Sequence, residues 1–271
     1  MITRETLVKD MINLGLQPGD LVYVHTSLKS IGPINGGANT LIEAFLSVLG
    51  PNGTIAVPTH TLSYEHSGYD SPYNKTATSC LPAVGTFPDI FWRYPGAKRS
   101  GHGSHSSAAI GALCDYLTDN HDPRNALGYN SPLRRVYEKN GKILLLGVGQ
   151  NRNTTVHLAE SMARMPYVKL PYALEWGNCV IVEDGGNIDR FEQIEYPGCS
   201  SEFNIVNDLM GDHIKSGRIG SADSALMDAK KLVDTVIAAL DANHGLLLCH
   251  DTHCCCCPRK WDLLRSQGTS S

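Results

Sequence analysis

Three short runs constrain this chain more than anything else in it: LVYVH at 21–25, TIAVP at 54–58 and KILLL at 142–146. Each is apolar at successive positions, so each fits a strand covered on both faces and not a strand with one wet side. Polar, glycine-bearing stretches follow the runs, and segments with helical spacing lie between them. Such alternation belongs to an α/β fold, and 271 residues suit one large α/β core with a small appendage.

The helical segments carry their own boundaries. Residues 3–14 place Leu7, Met11, Ile12 and Leu14 on a buried side, with Thr3 as N-cap and Gly15 as the stop. A second helix is expected from Thr40 to Leu49 and a short one over 86–93. SPLRRVYEKN should start at a Ser131 cap with Pro132 in its first turn. Further on, a hairpin is expected to turn at Asp184-Gly185-Gly186, helices to span 202–216 and 223–240, and GLLLCH to form a last strand.

The chemistry is best sought where KILLL ends. GVGQNRNTTVHLAE leaves a strand, turns through polar residues and opens a helix with His157 and Glu160 three positions apart, on one face. A first-turn position disfavours imidazolium through the helix dipole, and a nearby carboxylate favours it, a balance suited to a general base. The loop TSLKSIGPINGGANT after the first strand can present N–H groups to an anion or an amide, yet it lacks the lysine of a P-loop. The long loop over 60–85 contains Asp70, a candidate substrate carboxylate, and the stretch from Lys98 to Ser106 gathers donors suited to a phosphate or thioester carrier. No Gly-x-Ser-x-Gly motif is present.

A net charge of −4 gives no reason to expect nucleic acid or an anionic membrane as partner. MITRETLVKDMINLGLQPGD lacks the apolar core of a signal peptide, and no run approaches the roughly 20 apolar residues of a membrane span. A cytoplasmic protein is expected. Nine cysteines, four of them consecutive from Cys254 to Cys257, argue for thiols and a metal over a disulfide framework. In HDTHCCCCPRK, Cys254 and Cys257 have Cys-x-x-Cys spacing and His250 could add an imidazole to a structural Zn²⁺.

Four blocks, GDLVYVHTSLKSIG, GTIAVPTHT, FWRYPGAKRSGHGSHSSAAIG and SPLRRVYEKNGKILLLGVGQNRNTTVHLAE, resemble in order the aminoglycoside 3-N-acetyltransferase family over residues 19–160. The C-terminal part looks closest to its apramycin- and gentamicin-acetylating subgroup. The resemblance implies a three-layer α/β/α sandwich with a central mixed sheet. It also implies a smaller subdomain, expected over about 166–204 and 241–271. It implies acetyl-CoA as donor, an aminoglycoside as acceptor, and a monomer or homodimer. An acetyltransferase for another amine, such as a biosynthetic amino sugar or a nucleotide phosphonate, is the alternative.

Carried onto matching positions, the resemblance makes His157 the general base with Glu160 as its partner or as a substrate contact. His25, Thr26, Ser27 and Leu28, with Lys29 beside them, would line the CoA channel, and Arg99, Ser100, Ser104 and Ser106 would add CoA contacts. Asp70 would bind the aminoglycoside, with Glu65 and Glu195 as further carboxylates. Cys199 would complete the zinc ligands. Where the family usually reads His-Pro, this chain has His102-Gly103, and a less rigid backbone is expected there.

Overall fold

A computed structural model describes residues 1–68, 72–171, 177–182 and 185–268. Its strands are β1 (Leu21–Thr26), β2 (Thr54–Pro58), β3 (Lys98–Arg99), β4 (Ser107–Gly111), β5 (Lys142–Leu146), β6 (Cys179–Val182), β7 (Ile188–Phe191), β8 (Lys215–Ile219) and β9 (Ala222–Asp228). Its helices are α1 (Arg4–Leu14), α2 (Leu28–Ile31), α3 (Gly37–Leu49), α4 (Thr86–Phe91), α5 (Cys114–Thr118), α6 (Pro132–Glu138), α7 (Thr155–Met162), α8 (Ile205–Met210), α9 (Ala229–Ala242) and α10 (Cys257–Ser266).

Seven strands make one mixed sheet in the order β3-β4-β2-β1-β5-β9-β8. Apart from it, β6 and β7 pair antiparallel as the expected hairpin; Asp184 of the expected turn lies outside the described residues. The three apolar runs lie together at the centre of the large sheet: β1 pairs in parallel with β2 on one side and with β5 on the other. Their side chains divide between two cores. Val22, Val24, Leu144 and Leu146 face α1, α3 and α4, whereas Tyr23, Ile143 and Leu145 face α6, α7 and α9. Period-two alternation of uniformly apolar strands thus builds the expected three-layer α/β/α sandwich.

Thr3 caps α1, its hydroxyl accepting from Thr6 N at 3.3 Å, and Ser131 caps α6, accepting from Arg134 N at 3.2 Å. The second half departs from expectation. The helix expected over 202–216 stops at Met210, and 215–228 form an antiparallel hairpin, β8 and β9, on the sheet edge beyond β5. Alanine, leucine and methionine in ADSALMD favour a helix, but pairing with β5 overrides that preference. GLLLCH forms no strand; Leu247, Leu248 and Cys249 are buried through turns. α3 begins at Gly37, earlier than expected, and the loop before it contains α2.

Candidate active site

The chain leaves β1 toward β2 and later returns to β1's other side as β5, so a crevice opens at the C-terminal ends of these strands. A cavity of about 1040 Å³ occupies it. Residues 25–29 at the end of β1, Pro58 and His60 at the end of β2, and Gly147, residues 151–154 and His157 after β5 line it. Gly177, Asn178, Glu192 and residues 196–198 line it too.

His157 is positioned by the start of α7. Asn153 Oδ1 accepts from Thr155 N at 3.2 Å while its amide donates to Gln150 Oε1 at 2.9 Å, fixing the turn from which the helix starts. One turn along α7, Glu160 Oε2 lies 2.5 Å from His157 Nδ1. Both side chains are buried, and the imidazole meets the Phe203 ring edge-on with centroids 4.7 Å apart. Burial alone would raise the Glu160 carboxyl, but the charge and hydrogen bond of His157 and, behind them, the Lys260 charge outweigh it and hold it below the usual carboxylate value. A carboxylate accepting Nδ1–H leaves Nε2 with its lone pair, and His157 lines the cavity.

Three more imidazoles line the cavity: His25, His60 and His105. Burial pushes His25 down to about 3, so it is neutral at physiological pH. Burial and then the neighbouring imidazoles do the same for His60 and His105, whose centroids are 4.5 Å apart. His25 Nε2, Thr26 Oγ1 and His60 Nε2 are buried with no hydrogen-bond partner among the described residues. Unsatisfied polar atoms beside a cavity are groups prepared for a ligand.

Comparison with known proteins then decides the family. The family model for aminoglycoside 3-N-acetyltransferase matches residues 23–241. The chain belongs to the aminoglycoside 3-N-acetyltransferase family. It is 34% identical to aminoglycoside N(3)-acetyltransferase IV of a Salmonella species, over 86% of this chain and 85% of that protein. The crystal structure of aminoglycoside acetyltransferase AAC(3)-IVa as apoenzyme superposes with a TM-score of 0.82 at 32% identity, covering 96% of each chain. A histidine-to-alanine mutant of that enzyme in complex with a gentamicin superposes at 0.81, at 32% identity and again over 96% of each chain.

Within this acetyltransferase framework the expected residues divide. His25, Thr26, Ser27, Leu28 and Lys29 reach the cavity. The Ser27 N–H, however, donates to Leu146 O at 2.9 Å and is not available to an oxyanion. Of the residues expected to contact CoA, Arg99, Ser100, Ser104 and Ser106 do not line the cavity. Arg99 is buried and braces the loops beside β2 and β4, donating to Thr59 O at 2.8 Å, Thr59 Oγ1 at 3.0 Å and Thr78 O at 2.5 Å. Ser106 Oγ donates to Thr59 O at 2.7 Å, Ser100 Oγ lies 3.1 Å from His121 Nδ1, and Ser104 Oγ lies 2.8 Å from His105 Nδ1. The buried donors were needed to close a polar interior. The turn at His102-Gly103 is fixed without proline, because His102 Nδ1 accepts from both Ser104 N and His105 N at 3.1 Å. Gly103 is required by packing: a Cβ there would collide with Cys179 Sγ.

Two of the expected substrate carboxylates have partners within the chain. Glu65 is engaged by Arg190 Nε at 2.9 Å and Asn178 N at 2.8 Å, and Glu195 accepts from the Ser161 hydroxyl. Neither lines the cavity; Glu192 does. Asp70 lies outside the described residues. Glu192 follows the last residue of β7, and the alternation along FEQIEY, with Gln193 buried between exposed neighbours, is the signal that could have found it.

The sulphur atoms of Cys199, Cys249, Cys254 and Cys257 lie within 4.8 Å of one another, with Cys199 and Cys249 at 3.9 Å. Zn–S bonds of about 2.3 Å in a tetrahedron put sulphurs roughly 3.8 Å apart, so this set fits Zn²⁺. His250 is not part of it. Its ring stacks on Trp261 at 5.0 Å, and Cys249, one residue earlier and buried, takes the place expected for it.

Proposed function

We propose that the chain transfers the acetyl group of acetyl-CoA directly to the 3-amino group of a 2-deoxystreptamine aminoglycoside, inactivating the antibiotic, with His157 as general base. The observation that carries this reading is the buried His157–Glu160 pair opening onto the cavity at the sheet's switch point. The distribution of charge supports it. Lys29 and Arg152 line the cavity and are exposed, suited to the phosphates of CoA, and Glu192, also exposed in the lining, is suited to an ammonium group.

An aminoglycoside amine is largely protonated at neutral pH, and only its free base attacks a thioester. As nitrogen bonds to the acetyl carbon, His157 Nε2 takes the N–H proton, and Glu160 stabilises the imidazolium that forms. The thioester carbonyl becomes an oxyanion, for which the Thr26 hydroxyl and the neutral His25 imidazole, both in the cavity lining and without a partner among the described residues, supply prepared partners. Collapse breaks the C–S bond and releases CoA thiolate, a leaving group good enough that no acyl-enzyme is needed. The cysteines Cys199, Cys249, Cys254 and Cys257 would hold a structural Zn²⁺, because four thiolates leave no open position. A reducing cytoplasm suits nine free thiols. No described helix is long and apolar enough to cross a membrane.

A thiol-release assay with acetyl-CoA against apramycin, gentamicin and a biosynthetic amino sugar tests the reading. Turnover with the antibiotics, lost about 10²-fold or more in His157→Ala, is expected. Turnover with the amino sugar alone would move the substrate to the alternative class, and full activity of His157→Ala would remove the base.

A further inference from the structure

In the loop HGSHS, residues 102–106, one side chain fixes where the next carries its proton. His102 Nδ1 accepts from Ser104 N and from His105 N, both at 3.1 Å, so that nitrogen is bare and its single lone pair is already shared. The Ser104 hydroxyl, 3.4 Å from the same nitrogen, has a better acceptor elsewhere. Ser104 Oγ accepts from the Tyr64 hydroxyl at 3.1 Å and lies 2.8 Å from His105 Nδ1. The serine proton therefore goes to His105, whose Nδ1 is an acceptor and whose own proton is held on Nε2. His102, Ser104 and Tyr64 are buried, which shields this relay from bulk water.

The relay ends at the cavity. His105 lines it and Ser104 does not, so the ring spans from interior to wall, with Nδ1 on the inner side and the Nε2–H turned to the cavity. His60, in the same lining, packs its ring against His105 with centroids 4.5 Å apart and planes inclined by 49°, which holds the imidazole plane. Burial pushes His105 down to about 3, so the ring donates a hydrogen bond without bringing a positive charge toward a polycationic ligand. The chain around the relay indicates which ligand it meets. Tyr64 forms a bridge with Cys179, and Glu65 N donates to Asn178 O at 3.0 Å, tying this segment to the β6–β7 hairpin, whose second strand ends next to Glu192. Tyr64, Asn178 and Glu192 line the cavity with His105, whereas the cations suited to CoA, Lys29 and Arg152, come from the segments after β1 and β5. His105 thus belongs with Glu192 to the acceptor's part of the cavity.

We propose that His105 binds the acceptor, its Nε2–H donating to an uncharged oxygen of the amino sugar, a hydroxyl or a ring oxygen, with Ser104 and Tyr64 as positioning residues that hold the proton on Nε2. The inference rests on the acetyl-transfer reading and adds to it a contact that a simple amine without oxygens would not make. A hydrogen bond between uncharged partners corresponds to about 2- to 10-fold in affinity. In His105→Phe, which keeps a ring but not the donor, KM for gentamicin and apramycin should rise by about that factor, with KM for acetyl-CoA unchanged. His105→Gln, whose amide nitrogen can take the place of Nε2, should restore most of the loss. Ser104→Ala leaves Nδ1 without its donor and frees the proton to move between the ring nitrogens, so the acceptor KM should rise in the same direction by less.

Two-bond proton–nitrogen correlation spectra of wild-type enzyme carrying isotope-labelled histidine read the tautomer without any variant, and they carry the test if His105→Phe does not fold. Nδ1 of His105 should be the bare nitrogen and Nε2 the protonated one; the reverse tautomer would overturn the proposal. So would an unchanged acceptor KM in folded His105→Phe, or a rise in KM for acetyl-CoA in its place, and with an active wild type either result removes His105 alone. A wild-type enzyme that acetylates no amino sugar would defeat the acetyl-transfer reading and this contact with it.

Discussion

Glu160→Gln isolates what the carboxylate charge contributes, because glutamine keeps the size and an oxygen that can still accept Nδ1–H. The bond at stake is 2.5 Å long and buried. Hydrogen bonds to charged groups contribute about 1.5–3 kcal/mol, and this one strengthens as His157 becomes imidazolium in the transition state. Its loss corresponds to roughly 10- to 150-fold in kcat. A second effect adds to the first: if the amide turns its NH2 toward Nδ1, it fixes the proton on Nε2, where the base must be vacant. That error costs about 10⁴-fold in the Ser-His-Asp template. Initial rates of thiol release across both substrates should show kcat down by about 10²-fold or more, with KM for acetyl-CoA within about twofold. Stability should fall as well, because the buried His157 Nδ1–H then loses its charged acceptor. A folded Glu160→Gln enzyme with kcat within about threefold of wild type would refute the role given to this pair.

Cys249→Ser should abolish stoichiometric zinc in protein purified without added metal and lower the melting temperature, whereas His250→Ala should retain the metal; zinc retained in Cys249→Ser, or none in the wild type, would defeat the assignment. Arg99→Ala should destabilise the fold by about 1–3 kcal/mol, because it leaves Thr78 O without its donor and Thr59 O with the Ser106 hydroxyl alone, while KM for acetyl-CoA in the folded enzyme stays unchanged. A raised KM would return Arg99 to the CoA site. Acid should unfold the protein through its buried imidazoles. His25 is held at about 3 and His121 at about 4, in both cases by burial first. Their stability contribution is complete above the unfolded value near 6.5 and is lost as pH falls from there toward 3–4, each group adding a slope of about 1.4 kcal/mol per pH unit. Urea midpoints that stay flat between pH 6.5 and 4.5 would contradict this burial.

The parts of the fold legible in the sequence are those where local and long-range demands agree. LVYVH and KILLL cannot be wetted on either face, so their place at the sheet centre was readable, and with it the crevice that holds His157. The β8–β9 hairpin was hidden because ADSALMD is made of good helix formers, and only pairing with β5 makes it a strand. Its signal was present nonetheless: Gly220-Ser221, the two residues between Ile219 and Ala222, are a hairpin turn, with Gly220 at φ +59°. In the site, residues whose role is set by adjacent backbone were legible. His25 through Lys29 must emerge where β1 ends, and His157 and Glu160 must share a face of α7.

What spacing cannot supply is the partner from a distant segment. Arg99 read as a ligand-binding cation because nothing local shows that Thr59 and Thr78 already need its donors. Glu65 and Glu195 read as free carboxylates for the same reason, and Lys260, three residues past the cysteine run, gave no sign at all. These readings share one physical origin: a charged side chain is assigned to a substrate by default, although the interior of a large α/β domain uses charges too. In this chain the interior and the substrate draw on them differently. Arg99 is committed to loops and Glu65 to the cavity wall, whereas the Glu160 charge is passed through His157 to the cavity. Substitutions in the first group should therefore register as lost stability and those in the second as lost turnover.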